Sequence, residues 1–171
     1  VSIEKFDISA NKFLNNLFTQ MCINPDNYLI LDNGVDPMAI NTCKEFLGSA
    51  KFLVVGRDPR DSYVDLVNSR DVLYEVDQFI FLFKKMRSMF IKNSQGLNNV
   101  LYIQFESFLT SFDLEAKRVI EFTKGSQNQY SLEKCIHYNY KKSLKNIGIY
   151  KKFHDQVAIK KIEHELKEYC Y

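Results

Sequence analysis

Short apolar runs alternate along the chain with longer stretches of helical periodicity. The runs at 28–31, 52–55 and 100–105 have the length and composition of strands buried in a parallel sheet. Stretches with apolar residues three or four positions apart predict helices, at 9–23, 35–47, 59–69, 70–93, 112–123, 131–140 and 155–169. The segment 124–130 is polar and predicts a surface loop. This order predicts an α/β fold, a three-layer sandwich whose central parallel sheet is flanked by helices.

The strand at 52–55 leads into a helix through a charged turn. Gly56 breaks the apolar run, Arg57 is the first charge after it, and Asp58 precedes Pro59. Aspartate is a favoured N-cap, and proline is favoured at the first helical position. The pattern therefore places an arginine at the carboxyl end of a strand and beside a helix N-terminus. Open α/β sheets bind ligands at that edge, and the unpaired N–H groups of the helix favour an anion.

Two interpretations of the charges around this turn stay open. In the first, the guanidinium groups of Arg57 and Arg60 bind phosphate or sulfate oxygens, whose geometry they match. In the second, Asp58 and Asp61 pair with those arginines in an internal lattice. Both interpretations fit the sequence.

Length, charge and cysteine usage narrow the class of protein. The 171 residues suit one domain with a sizeable core, and a net charge of +2 gives no argument for a nucleic-acid surface or a polybasic membrane patch. The longest apolar run, around 79–83, is too short to span a bilayer. The four cysteines are scattered without the spacing of a zinc site. We therefore predict a cytoplasmic protein with no metal, no nucleic-acid partner and no membrane segment.

The segment 51–61, Lys-Phe-Leu-Val-Val-Gly-Arg-Asp-Pro-Arg-Asp, resembles the 3′-phosphate-binding segment of sulfotransferases that use 3′-phosphoadenosine 5′-phosphosulfate (PAPS). Members of that family have a hydrophobic strand ending in arginine, then Asp/Asn-Pro-x-Asp and a helix. In many of them a serine one or two turns into the helix completes the phosphate site. This sequence has Asp65 at the usual spacing, and Ser62 and Ser69 are the candidate substitutes.

Three further segments agree with this resemblance in order and spacing. Residues 100–110 resemble the family's strand with its following aromatic-acidic pair, and 119–125 stand where members have a helix ending in Phe-Leu-Gly. Residues 143–151, Ser-Leu-Lys-Asn-Ile-Gly-Ile-Tyr-Lys, resemble the C-terminal segment Ser-x-x-Asn-Ile-Gly-x-Trp/Tyr-Lys, which closes over the nucleotide in members. The agreement runs from about Tyr28 to the last residue.

The resemblance implies a P-loop-NTPase-like sulfotransferase fold, with residues 1–171 forming a single domain. It implies PAPS as the cofactor, adenosine 3′,5′-bisphosphate as the product, and a hydroxyl of a saccharide or other small molecule as the acceptor. The nucleotide-binding residues that it implies are Arg57, Arg60, Ser62, Asp65, Ser143, Lys145, Asn146 and Gly148.

Sulfuryl transfer requires a base that activates the acceptor hydroxyl. The family places its base near the end of the strand before the phosphate-binding strand, which here is Asp32. Capping of the following Asn-Gly turn is an equal alternative for Asp32. Asp36 competes for the role of base, although its position before Pro37 is typical of an N-cap. Glu106, at a strand end, is interpreted as structural, accepting backbone N–H groups at a turn.

One element of the family has no counterpart in this sequence. Members carry, near the N-terminus, a strand and a Gly/Ser/Thr-rich loop with Lys or Arg that binds the 5′-phosphosulfate. We therefore expect the chain to be the C-terminal part of a longer domain, supplying the 3′-phosphate-binding half and poorly active alone. Two other functions stay open. A nucleotide or small-molecule kinase would need a phosphate loop and an acidic strand end for Mg²⁺. A non-catalytic module would bind a phosphorylated ligand or another subunit.

Overall fold

The computed structural model describes residues 2–21, 29–32, 35–48, 50–69, 75–123 and 139–171. Within these ranges the helices are α1 (Ile3–Met21), α2 (Ile40–Leu47), α3 (Pro59–Ser69), α4 (Val76–Ser94), α5 (Phe105–Thr110), α6 (Phe112–Thr123), α7 (Tyr140–Ser143) and α8 (Gln156–Glu165). The strands are β1 (Phe52–Gly56) and β2 (Val100–Gln104). Short 3₁₀ turns cover Pro37–Ala39, Leu144–Asn146, Ile149–Lys152 and Lys167–Tyr169. The described chain is therefore mostly helical with a small parallel sheet, an α/β arrangement.

The sheet confirms two of the three predicted strands. β1 pairs with β2 in parallel, with Phe52 opposite Val100 and Gly56 opposite Gln104. The helices α3 and α4 lie in the connection between them, as a parallel pair requires. The strand predicted at 28–31 is wrong for its described residues, because 29–31 form no strand. An apolar run becomes a strand only where a neighbouring strand supplies hydrogen-bond partners, and the described sheet has none for it.

The helix boundaries follow local capping signals. α1 begins six residues before the predicted start at 9, because the Ser2 hydroxyl accepts the Lys5 N–H at 3.3 Å and caps it. The helix predicted at 35–47 is a 3₁₀ turn followed by α2. Asp36 caps that turn by accepting the Met38 N–H at 2.8 Å, and Gly48 ends α2 with a φ of 52°. The predicted loop at 124–130 and the predicted helix up to residue 138 lie outside the described residues.

The chain divides into two compact units. The first comprises Val1–Lys51 with Met86–Asn99, and in it the Asn11 side-chain amide donates to the Glu45 carbonyl at 3.0 Å, joining α1 to α2. The second comprises Phe52–Lys85 with Val100–Tyr171 and holds the candidate site. Its core consists of Tyr63, Val64, Phe79, Ile80, Phe153, Ala158, Ile159, Ile162 and Leu166. The single sulfotransferase-like domain stays a prediction.

None of the described helices combines the length and the apolar composition that a membrane-spanning helix needs.

Gly56 ends β1 where the Tyr102 side chain of β2 covers its backbone. A Cβ atom added at Gly56 would lie 2.7 Å from Tyr102 Cε2 and closer still to the hydroxyl end of the ring. The glycine that interrupts the apolar run therefore leaves room for a neighbouring side chain.

We expect Gly56→Ala to lower the free energy of unfolding by about 1–3 kcal/mol, because the added methyl group must displace the Tyr102 ring. Urea denaturation of Gly56→Ala, Tyr102→Val and the double variant measures this effect. In the Tyr102→Val background the alanine should have little further effect, since the overlapping atoms are gone. An equally large loss in that background would mean that the backbone, and not the ring, requires glycine.

Candidate functional site

The turn between β1 and α3 has the capping geometry that the sequence predicts. Pro59 is the first helical residue, and the Asp58 carboxylate accepts the Arg60 N–H at 2.8 Å. From the first turn of α5, directly after β2, Glu106 Oε1 accepts the Asp58 N–H at 2.9 Å. The structural interpretation of Glu106 is confirmed, since this bond ties the carboxyl end of one strand to that of the other.

Arg60 is the centre of a buried ion-pair lattice. Its Nε and Nη2 donate to the two Asp58 carboxylate oxygens at 3.0 and 2.7 Å, and its Nη1 donates to Glu163 at 2.7 Å. The last residue completes the lattice, because the Tyr171 carbonyl accepts from Arg60 Nη2 at 2.8 Å and the Tyr171 N–H donates to Asp58 at 2.8 Å. The guanidinium carbon also lies 4.1 Å from the centroid of the Tyr150 ring.

These contacts favour the internal lattice over nucleotide binding for Arg60. Its side chain is only 7 % exposed, and the carboxylates and the carbonyl occupy its donors. The hydrogen bonds that Arg60 donates to the Asp58 carboxylate also raise the pKa of the Arg60 guanidinium above its ordinary value, so the pair stays charged. Arg60 therefore belongs to the ion-pair lattice and stabilises the turn.

Arg57 has a different environment, at the edge of the same turn. Its Nη1 pairs with the Asp65 carboxylate, its Nη2 donates to the Asn146 carbonyl at 2.7 Å, and its guanidinium carbon lies 5.0 Å from the centroid of the Phe105 ring. The Nε atom is buried and has no hydrogen-bond partner among the described residues. The Asp65 side chain is 52 % exposed, so the ion pair faces solvent on one side. Arg57 therefore keeps one unpaired donor, Nε, at a buried position.

Asp61 joins the first turn of α3 to the C-terminal part of the chain. Its buried carboxylate accepts the Gly148 N–H at 2.6 Å and the Tyr150 N–H at 3.0 Å. Gly148 has a φ of 73°, a left-handed conformation that favours glycine. The sequence analysis named Asp61 only as a candidate partner of arginine. No local signal points to backbone groups nearly ninety residues away.

The other predicted nucleotide-binding residues lie in α3 and in the C-terminal segment. Asn146 contacts Arg57 through its backbone carbonyl. Ser62 lies partly buried in the first turn of α3. Ser143 is partly buried at the end of α7, and Lys145 is exposed in the following 3₁₀ turn. Ser69 lies at the far end of α3, about 15 Å along the helix from its start, too far to complete a site at the turn.

Asp65 pairs directly with Arg57, and its assignment as a nucleotide-binding residue stays a prediction. A carboxylate that pairs with Arg57 occupies the guanidinium, and it repels a phosphate that approaches the same group. In this geometry Asp65 is an internal competitor for the same cation.

The predicted general base belongs to the other unit. Asp32 is exposed in a bend of the first unit, and its catalytic role stays a prediction. Its competitor Asp36 caps the 3₁₀ turn through the Met38 N–H, which confirms the N-cap interpretation.

The charge around the turn is predominantly negative. Its hydrogen-bonded groups include two guanidinium groups, of Arg57 and Arg60, and the carboxylates of Asp58, Asp61, Asp65, Glu106 and Glu163. The C-terminal part of the chain carries five exposed lysines that form no ion pair among the described residues: Lys141, Lys142, Lys145, Lys151 and Lys152. The part of the chain that the structure describes contains no cluster of three potential metal ligands.

Comparison with protein-family models, with curated proteins and with solved structures gave no match for this chain. The resemblance to sulfotransferases therefore rests on the sequence motifs alone.

Proposed function

We propose that this chain binds the 3′-phosphate of PAPS at Arg57 and supplies the 3′-phosphate-binding half of a PAPS-dependent sulfotransferase. The acceptor in this proposal is a hydroxyl of a saccharide or other small molecule. The proposal includes the finer fold, a three-layer P-loop-NTPase-like sandwich, and a cytoplasmic location.

The supporting observation is the convergence of two separate segments. In sequence, the strand-turn-helix segment and the C-terminal segment each resemble a nucleotide-binding segment of the family. Arg57 of the first donates to the carbonyl of Asn146 in the second at 2.7 Å, and Asp61 accepts from Gly148 at 2.6 Å. Contact between the two is what a shared phosphate site requires.

The chemistry of the turn also fits a phosphate. Arg57 has an Nε–H donor without a partner among the described residues, buried two residues before the start of α3. Its guanidinium group matches the geometry of phosphate oxygens. Lys145, exposed next to Asn146, can add a point charge. Ser62 is the candidate hydroxyl ligand, because it lies in the first turn of α3.

Calorimetric titration with adenosine 3′,5′-bisphosphate, AMP and Mg²⁺-ATP tests the proposal. We expect the bisphosphate to bind at least about tenfold more tightly than AMP, because charge-assisted hydrogen bonds to the 3′-phosphate contribute roughly 1.5–3 kcal/mol. Equal binding of the bisphosphate and AMP, or tighter binding of Mg²⁺-ATP, would contradict the 3′-phosphate site and favour a kinase-like function. No binding of any of the three would exclude this chain as a nucleotide-binding half.

Replacement of Asp65 should strengthen the binding of the bisphosphate. Asp65→Ser should raise the affinity for the bisphosphate by roughly 1.5- to 5-fold, because it removes an exposed carboxylate that competes for Arg57. The same titration measures the change. Asp77→Ser is the matched control, since it removes an exposed aspartate that pairs with Lys161 elsewhere in the same unit, and it should leave the affinity unchanged. Weaker binding by Asp65→Ser would mean that Asp65 assists the ligand.

A further inference from the structure

We infer that Asp61 is a positioning residue, whose buried carboxylate holds the lysine-bearing segment 143–152 against Arg57. The part of this inference that concerns ligand affinity rests on the proposed function. The part that concerns the order of the segment does not.

The geometry of the contact is specific. Both oxygens of one carboxylate accept backbone N–H groups, from Gly148 at 2.6 Å and from Tyr150 at 3.0 Å. Two N–H groups so close in the chain converge on one carboxylate only where the backbone turns, and the left-handed φ of 73° at Gly148 supplies that turn. Gly148 also precedes the 3₁₀ turn Ile149–Lys152, so the Asp61 carboxylate satisfies N–H groups at the start of that turn.

The segment is held at two points by neighbouring residues of one turn. Arg57, just before α3, donates to the Asn146 carbonyl at 2.7 Å, and Asp61, in the first turn of α3, accepts from Gly148 two residues later. Lys145 directly precedes Asn146 in the chain. The contacts made by Arg57 and Asp61 therefore determine which residues of the segment lie beside Arg57.

This placement matters because the turn itself carries more carboxylates than guanidinium groups. A phosphate at Arg57 needs positive charge from elsewhere, and Lys145 is an exposed lysine next to the held carbonyl. Asp61 is buried and both of its oxygens are occupied, so it does not contact a ligand itself. Its influence on anion binding acts through the segment.

A double-mutant cycle of Asp61→Asn and Lys145→Ala tests this coupling. In Asp61→Asn one oxygen becomes an NH₂ group that cannot accept, which leaves one of the two backbone N–H groups unpaired. We expect about tenfold weaker binding of adenosine 3′,5′-bisphosphate by Asp61→Asn. Lys145→Ala should weaken binding about threefold in the wild-type background and have almost no effect in the Asp61→Asn background.

Hydrogen exchange provides a readout that needs no ligand. In Asp61→Asn the amides of Gly148 and Tyr150 should exchange at least about tenfold faster, while those of α8 stay protected. Asp155→Asn is the matched control, because Asp155 caps α8 through the Ala158 N–H at 2.9 Å in the same part of the chain. Asparagine is also a favoured N-cap, so this variant loses the charge but keeps the cap, and it should leave the bisphosphate affinity and the exchange at 148 and 150 unchanged.

If Asp61→Asn does not fold, Gly148→Ala examines the same contact from the other side, because alanine disfavours the left-handed conformation at that position. It should also release the segment and weaken binding. Additive effects of Asp61→Asn and Lys145→Ala, or unchanged exchange at 148 and 150, would overturn the inference. A wild-type chain that binds no bisphosphate would contradict the proposed function alone, and the exchange experiment would then decide the role of Asp61.

Discussion

Asp58→Ala should lower the free energy of unfolding by about 3–5 kcal/mol, since it leaves the buried Arg60 guanidinium without its main counter-ion. Asp58 is 2 % exposed and accepts four hydrogen bonds, three from Arg60 and one from the Tyr171 N–H. The substitution also removes the N-cap of α3. Urea denaturation followed by circular dichroism measures the loss.

Two further variants separate the causes of that loss. Glu163→Gln removes the other partner of Arg60, but Glu163 is 54 % exposed, so the expected loss is below about 1 kcal/mol. The double variant Asp58→Ala with Arg60→Met should recover much of the stability, because it removes the uncompensated charge together with its partner. Similar losses for Asp58→Ala and Glu163→Gln would contradict the buried lattice.

Arg57→Ala should weaken the binding of adenosine 3′,5′-bisphosphate by roughly 10- to 150-fold, the loss expected for charge-assisted hydrogen bonds to a phosphate. It should leave AMP binding nearly unchanged, because AMP has no 3′-phosphate. Titration calorimetry of both ligands against both proteins gives the comparison. Arg57 also donates to the Asn146 carbonyl, so circular dichroism must first show that the variant is folded.

Arg57→Lys and Arg118→Ala are the controls for this result. Lysine keeps the charge but lacks the planar fork, so its affinity should lie between those of the wild type and alanine. Arg118 is another partly exposed arginine of the same unit, and it pairs with Glu115 within α6. Its removal should change the affinity less than about twofold. An Arg57→Ala protein that binds the bisphosphate as the wild type does would contradict the proposed site.

Local signals predicted the candidate turn well. An N-cap, a proline at the first helical position and an apolar strand act within a few residues, and the structure confirms all three around Asp58 and Pro59. The same holds for Asp36 before Pro37. The strand predicted at 28–31 is wrong for its described residues, 29–31, because strand formation depends on a partner that lies outside the run itself.

The contacts that assemble the site could not be predicted in the same way. Asp61 and Gly148 are 87 residues apart, and Arg57 and Asn146 are 89 apart. The choice of such partners depends on how the intervening helices pack, which no local pattern encodes. The resemblance placed the two segments in one site, but it did not indicate that backbone carbonyl and amide groups join them.

The two arginines of the turn show what the sequence determines and what the tertiary structure determines. The sequence by itself determined that Arg57 and Arg60 flank a strand-to-helix turn, since capping and periodicity are local properties. Only the tertiary structure decided that Arg60 is buried while Arg57 keeps an unpartnered donor at the edge. The physical reason is that the partners of Arg60 include Glu163 and Tyr171, more than a hundred residues further along the chain. A buried guanidinium is stable only where folding brings such partners to it.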